Sequence, residues 1–524
     1  MSEPNRPDLD LLVDPWLPVI GLDGVRREVS LLEALEGAHL LREVADPSPL
    51  VAFGVYRFLA AVLQAYLPVA SLNEWATVWE GGRFQADFLD RVRRGCHGRL
   101  RLFDPTRPFY QAGDIPLDGK PAEGVKTVGY LFLEESTGTN VTHFSHRGDG
   151  DHAYCPTCCV RGLLTLPPFA ISGGAGIKPS INGTPPIYVL PRGETLFHTL
   201  LLNHLAPQFR PDTGRDPGPL WEQEDTVRAK DPRPGIGFVE SLTWPPRRVR
   251  LFPGTGGACS ACGRRAATLV RHMVFMQGRS LAAGRSAWRD PWVAYTLRKP
   301  PKGGQPEVDA VRPREERDVW RDFPALFLTR PGGDRQPPQV LAQIVQLLDR
   351  ELLDPGTRVH FETYALRTDG KAKVFEWRRD HFDFPLVLLG GAATGTVETA
   401  LERADRVANA LTWALRKLHP GEERGWANPE ERRKALRSLI TYCLRDYWHR
   451  LEEFFRRHLS DPRLQGDDAS QKDWLDAWDE RVRQVGRRVL EDALEAFDAD
   501  FDGLRRQNEA RAVFYGNVKQ IFAA

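Results

Sequence analysis

Cys155-Pro156-Thr157-Cys158 and, far downstream, Cys259-Ser260-Ala261-Cys262 are the two stretches on which the reading of this chain turns. Each is a CxxC knuckle, a turn that presents two sulfurs about one ligand edge apart. Two knuckles together make the four-thiolate tetrahedron that zinc prefers. Such a site has no open coordination position, so its expected role is structural. The spacing predicts a zinc site at Cys155, Cys158, Cys259 and Cys262 that closes a long excursion of the chain. The remaining cysteines are Cys96 and Cys443, read as small buried hydrophobes, and Cys159, a candidate substitute ligand. Seven cysteines in 524 residues are too few for a disulfide scaffold and fit a reducing, cytoplasmic setting.

Inside the excursion lies Gly173-Gly174-Ala175-Gly176-Ile177-Lys178. It lacks the Gly-Lys-Ser/Thr of a P-loop and the strand–helix setting of a dinucleotide fingerprint. Its glycines either make a tight turn or let backbone amides approach a ligand closely. From Arg247 to Lys302 there are twelve Lys or Arg and one acid, Asp290, although the whole chain carries a net charge of only +1. That imbalance reads as a polyanion-facing surface; the competing reading is a face balanced by acids folded in from elsewhere.

Further out, Val19–Val25 reads as a hairpin turning at Asp23-Gly24, Ser30 caps a short helix, and helices are expected near 48–66, 71–81 and 84–95. Residues 99–295 are rich in Pro and Gly and read as irregular α+β, with β-type runs at 130–133 and 186–190. Residues 136–153 have the composition of a mobile or partner-ordered loop, and 299–316 that of a linker or exposed loop. A helix follows near 337–353. Alternating segments at 359–364 and 373–377 then flank Thr368-Asp369-Gly370-Lys371, a hairpin signal. Beyond Gly391 four amphipathic helices are expected, near 395–418, 428–459, 469–498 and 504–522. The fold class is therefore α+β: a large mixed domain over 1–390 and a C-terminal four-helix bundle over 391–524. No run of about 18 apolar residues predicts a membrane span, and the polar first ten residues predict no signal peptide. HExxH, GxSxG and kinase signatures are absent, so nothing in the motifs requires an enzyme.

Taken in order, these features resemble the CasA family, the large subunits of the type I-E CRISPR surveillance complex Cascade. Leu12-Val13-Asp14-Pro15-Trp16-Leu17-Pro18-Val19 is similar to the family's opening, and Arg107-Pro108-Phe109-Tyr110-Gln111 to its H-P-F-x-Q segment. The knuckles, the glycine loop running into Asn182-Gly183-Thr184-Pro185, and the C-terminal helices follow in the family's order. The resemblance implies a non-catalytic, zinc-containing subunit of an antiviral complex. It would read the protospacer-adjacent motif (PAM) of duplex target DNA from the minor groove, start strand separation and R-loop formation, and lead to recruitment of a helicase–nuclease. It also implies site roles. Gly173, Gly174, Ala175 and Gly176 match the reading loop, Arg279 corresponds to a basic finger, and Gly370 and Lys371 sit at the tip of a strand-separating wedge. Phe144 matches a residue that docks on the guide-RNA 5′ handle and the complex's other subunits. No membrane partner is implied. The rival reading is a zinc-dependent nucleic-acid-processing enzyme.

Overall fold

The structure is a computed structural model. It describes the chain except residues 1–7, 118–122, 136–151, 174–175, 212–213, 225–226, 229, 283–287, 299–306, 329–333, 371–372, 392, 419–428, 496–499 and 524. Phe144, Gly174, Ala175 and Lys371 therefore lie outside the described residues. The chain divides into two compact units. The first comprises residues 1–313 and 334–381, the second residues 314–333 and 382–524. The division expected at 390/391 falls earlier, and a segment from the supposed linker region belongs to the second unit.

The first unit is built around the helix Pro49–Tyr66. Ser48 caps it by accepting the Val51 N–H, and Pro49 occupies its first turn. The sequence predicts an apolar stripe, but the helix is buried on nearly every side. By length and composition alone it is apolar enough to cross a membrane; here 89% of it is interior. Its Arg57 is paired with Asp290 at 2.8 Å, both side chains being almost fully enclosed. Gly54 lets a second helix, Pro156–Phe169, cross closely: a Cβ at 54 would overlap the Leu164 carbonyl.

Around this pair lie small sheets. Leu17–Gly21 pairs antiparallel with Arg26–Val29 across the expected Asp23-Gly24 turn, and also with Leu41–Val44. The strand Tyr188–Arg192 pairs with His360–Thr368, which neighbours Val374–Asp383 in the same sheet. The longest hairpin, Arg247–Ala258 with Arg265–Gln277, falls where the sequence predicts only irregular structure. Conversely, the β-type run at 130–133 overlaps a 3-10 turn, Val128–Leu131. The helices Leu72–Glu80, Ala86–Cys96 and Gln339–Asp349 lie within a few residues of expectation.

The second unit contains four long helices, Thr394–Leu415, Pro429–His458, Asp468–Glu495 and Phe501–Ala523. The first packs on the other three. Buried polar reaches cross-link them: Trp478 Nε1 donates to the Ala400 carbonyl, Tyr447 to Ala404, and Trp474 to His458. Residues 314–333 join this unit because Trp320 and Phe323 are fully buried. Trp320 sits 5.1 Å from the Phe455 ring and 5.7 Å from Trp448, with Phe323 against Phe382, Phe384 and Phe455. An aromatic cluster of this size fixes a segment far more firmly than the surrounding Pro and Gly residues loosen it.

Candidate functional site

The two knuckles meet. The sulfurs of Cys155, Cys158, Cys259 and Cys262 all lie within 4.8 Å of one another, three of the residues being buried and Cys262 exposed. Cys155 Sγ and Cys262 Sγ are 3.8 Å apart. A tetrahedron with Zn–S of about 2.3 Å has an edge of about 3.8 Å, so the Cys155–Cys262 separation matches such an edge and the cluster as a whole is compatible with a tetrahedral metal ion. Cys155 is the N-cap of the helix Pro156–Phe169, and its N–H donates to Cys259 Sγ at 3.3 Å. Hydrogen bonds from Cys155 and Cys158 push the Cys259 thiol far down, while those with Cys155 and Cys259, together with burial, push Cys158 far up. Cys159 is not part of the cluster: it is fully buried, and its Sγ faces the Tyr154 carbonyl at 3.8 Å.

Two struts lead away from this centre. One is the helix Pro156–Phe169, whose 14 residues span about 21 Å. The other is the strand Arg265–Gln277. Tyr154 and Val270 exchange backbone hydrogen bonds of 2.9 and 2.8 Å beside the knuckles. From Val270 to Gln277 the strand runs seven residues, about 23 Å. The struts thus match in length, and the glycine segment lies at their far end. The sequence places that segment inside the clamp; the structure puts it at the opposite end of a frame.

There, Arg247 Nη1 donates to the Lys178 carbonyl at 2.8 Å, and its Nη2 donates to the Ile171 carbonyl, so one guanidinium grips both legs of the glycine segment. Gln277 accepts the Lys178 N–H at 2.5 Å. Gly173 donates to the Ile177 carbonyl at 3.3 Å. Gly176 has φ +85, but a Cβ there would meet nothing within 4 Å. At Gly173 a Cβ would meet only Ile177, at 3.9 Å, an ordinary contact, and φ is not left-handed. The fold's own packing therefore does not demand glycine at 173.

The other expected parts are distributed as follows. The hairpin His360–Thr368/Val374–Asp383 forms, with Gly370 at φ +73 donating to Thr368 Oγ1 and Lys373 donating to Asp369 Oδ1 at 3.0 Å. A Cβ on Gly370 would lie 3.6 Å from Thr184 Oγ1, so the hairpin tip is adjacent to the Asn182–Pro185 turn. That turn is held by Arg312, whose Nε donates to the Thr184 carbonyl at 3.1 Å. Asn182 also donates to Asp290 Oδ2 at 2.8 Å and accepts from Trp288 Nε1 at 3.0 Å. None of these holding residues, Arg57, Arg247, Gln277, Asp290 or Arg312, carries a signal in a single sequence, because their partners are backbone carbonyls or distant side chains.

Arg279 departs from expectation. It is fully buried in a strand pairing parallel with Asp231–Arg233. Its Nη1 donates to Glu240 at 2.9 Å and to Gln223 at 2.6 Å. A guanidinium so enclosed and paired is a core ion pair, not a finger offered to DNA. Part of the basic excess over 247–302 is likewise spent inside the fold. Arg250 donates to the Asp104 and Pro105 carbonyls, Arg248 pairs with Asp114, and Arg264 with Glu28. Acids folded in from elsewhere thus balance three of the twelve, Arg248, Arg264 and Arg279, while Arg285, Lys299 and Lys302 lie outside the described residues.

With this geometry in view, the comparisons are direct. A profile of the family described as CRISPR-associated protein Cse1 matches residues 10–489. The CRISPR-associated protein CasA/Cse1 of Thermus thermophilus is 32% identical over 516 residues, covering 94% of this chain and 92% of that protein. The crystal structure of a Thermus thermophilus CasA superposes with a TM-score of 0.76 at 26% identity, over 98% of this chain and 99% of that one. A chain of a CRISPR RNA-guided surveillance complex shares the fold, with a TM-score of 0.73 at 18% identity over 97% of this chain and 100% of its own. The chain belongs to the CRISPR-associated Cse1 (CasA) family.

Proposed function

We propose that this chain is the large, non-catalytic subunit of an RNA-guided DNA surveillance complex of the Cascade type, acting in antiviral defence in the cytoplasm. In that role it reads the PAM of duplex DNA through the Gly173–Gly176 segment and uses the hairpin tip at Gly370-Lys371 to hold the strands apart. Phe144 and its polar surroundings dock on the guide-RNA 5′ handle and neighbouring subunits. The four C-terminal helices act as a bundle facing the displaced strand, and the bound complex recruits a helicase–nuclease. Zinc held by Cys155, Cys158, Cys259 and Cys262 supplies rigidity and no chemistry.

One observation carries the reading. Gly176 lies in open space and a side chain at Gly173 would make only an ordinary contact, beside an exposed lysine, Lys178, on legs fixed by buried side chains, with a second hairpin tip next to the turn that follows. Slim backbone in a fixed place is what a narrow minor groove admits. Arg279 takes no part, given its burial.

The test is target binding by a complex reconstituted with and without this chain. Without it, binding to duplex target should collapse while binding to a pre-melted bubble target largely survives. Equal loss on both substrates would contradict a role in duplex reading. Robust metal-dependent DNA cleavage by the purified chain alone would favour the enzyme reading instead.

A further inference from the structure

Arg247 is an unusual arginine. It is 3% exposed, and among the described residues no carboxylate pairs with it. Its donors go to three backbone carbonyls, those of Ile171, Lys178 and Pro246, and its guanidinium lies 5.6 Å from the centre of the Phe275 ring. Burial pulls it down to about 10, so it keeps its charge at neutral pH. Burying a cation with no counter-charge is costly, and here only hydrogen bonds to carbonyls and the ring face offset that cost. Gln277, directly opposite Arg247 in the hairpin register, completes the arrangement: its Oε1 takes the Lys178 N–H, and its Nε2 donates to the Pro246 carbonyl at 3.2 Å. The backbone of Lys178 is therefore pinned at both its N–H and its C=O, while its side chain is exposed.

We infer that Arg247 and Gln277 form a buried clasp that presets the glycine segment, and that the cation this clasp presents to DNA is Lys178, as a phosphate contact. The inference rests on the DNA-reading function proposed above and assigns the basic role that Arg279, being enclosed, does not fill. Arg247 and Gln277 are positioning residues; Lys178 is the residue that meets the ligand. A phosphate contact adds affinity without sequence information. Losing one should flatten the dependence of log K on log salt by about 0.9.

The experiment uses the fully reconstituted complex and measures target-duplex binding between low and moderate salt, with PAM-containing and PAM-lacking duplexes. Lys178→Gln should weaken both duplexes by a similar factor, about tenfold at low salt, and reduce the salt slope by about 0.9. Arg247→Met should reduce the slope likewise and also lower the preference for the PAM duplex. Arg247→Lys, which cannot grip both legs at once, should fall between. Metal content and thermal stability, measured on every variant, identify any that misfold; Lys178→Gln, at an exposed position, carries the test if the Arg247 variants do. Gly173→Asp serves as the control for the underlying function, since position 173 has an ordinary φ and a side chain there meets only Ile177, at 3.9 Å. An unchanged salt slope in Lys178→Gln, with Gly173→Asp losing PAM preference, overturns this inference alone. PAM preference unchanged in Gly173→Asp overturns the reading function on which it rests.

Discussion

Replacing Asp290 by Asn should be among the most damaging single-atom changes in the first unit. Arg57 Nη1 lies in ion-pair contact 2.8 Å from Asp290 Oδ2, which also accepts from Asn182 at 2.8 Å, and Oδ1 accepts the Trp292 N–H at 3.2 Å. Arg57 has little else: its Nη2 reaches the Ser241 carbonyl at 3.2 Å, and the guanidinium lies over the Trp292 ring. Arginine cannot shed its proton in a protein. Asp290→Asn therefore strands a buried cation, at a cost of about 3–5 kcal/mol. Arg57→Met strands a carboxylate instead, but a carboxylate can take up a proton and keeps its other donors, so it should cost less, about 2 kcal/mol. The double variant removes both charges and should recover most of the loss, leaving a coupling energy of about 2 kcal/mol or more. The two units need not unfold together, so urea transitions should be paired with hydrogen exchange over Pro49–Tyr66, which reports the first unit directly. A loss below about 1 kcal/mol for Asp290→Asn, or a double variant no better than the worse single one, would refute the argument.

Two further outcomes follow from the same structure. The purified chain should carry one zinc, lost in Cys259→Ser but retained in Cys159→Ser, with metal content read by mass spectrometry; loss in both would place Cys159 among the ligands. Burial pushes His204 down to about 3, whereas the unfolded chain protonates it near the ordinary value of about 6.5. The folded state thus binds fewer protons than the unfolded one in that window. Stability of the first unit should fall as pH drops from about 6.5 toward about 3, and His204→Leu should flatten that decline in denaturation followed across pH.

What the sequence disclosed is what depends on local pattern. The CxxC spacing found the four-cysteine cluster because its geometry is written into two short turns. The Asp23-Gly24 and Asp369-Gly370 turns and the four C-terminal helices were visible from turn residues and 3.6-residue periodicity. The hairpin Arg247–Ala258/Arg265–Gln277 was not. Its prolines, glycines and arginines disguise strands whose alternation is broken by a register shift at Phe252/Pro253. The basic run misled for a related reason. A charge count sees Arg247, Arg250 and Arg279 as surface, while the fold gives them carbonyls and acids drawn from residues 104, 105, 171, 178, 223, 231 and 240. Long-range satisfaction of a buried charge leaves no mark near it in the chain. The unit boundary was missed likewise, since Trp320 and Phe323 find their aromatic partners far along the sequence.

The most direct measurement is the sequence preference of the reconstituted complex across duplex targets with a randomised PAM, for the natural chain and for Gly173→Asp. The substitution is tolerated by the fold, because position 173 has room for a side chain and an ordinary φ. It sets a carboxylate where DNA phosphate and base edges should approach, and like-charge juxtaposition costs on the order of several kcal/mol. The natural complex should enrich a short motif, and the variant should lose that enrichment while still binding pre-melted target. The same motif enriched equally by both would contradict a reading surface at the glycine segment.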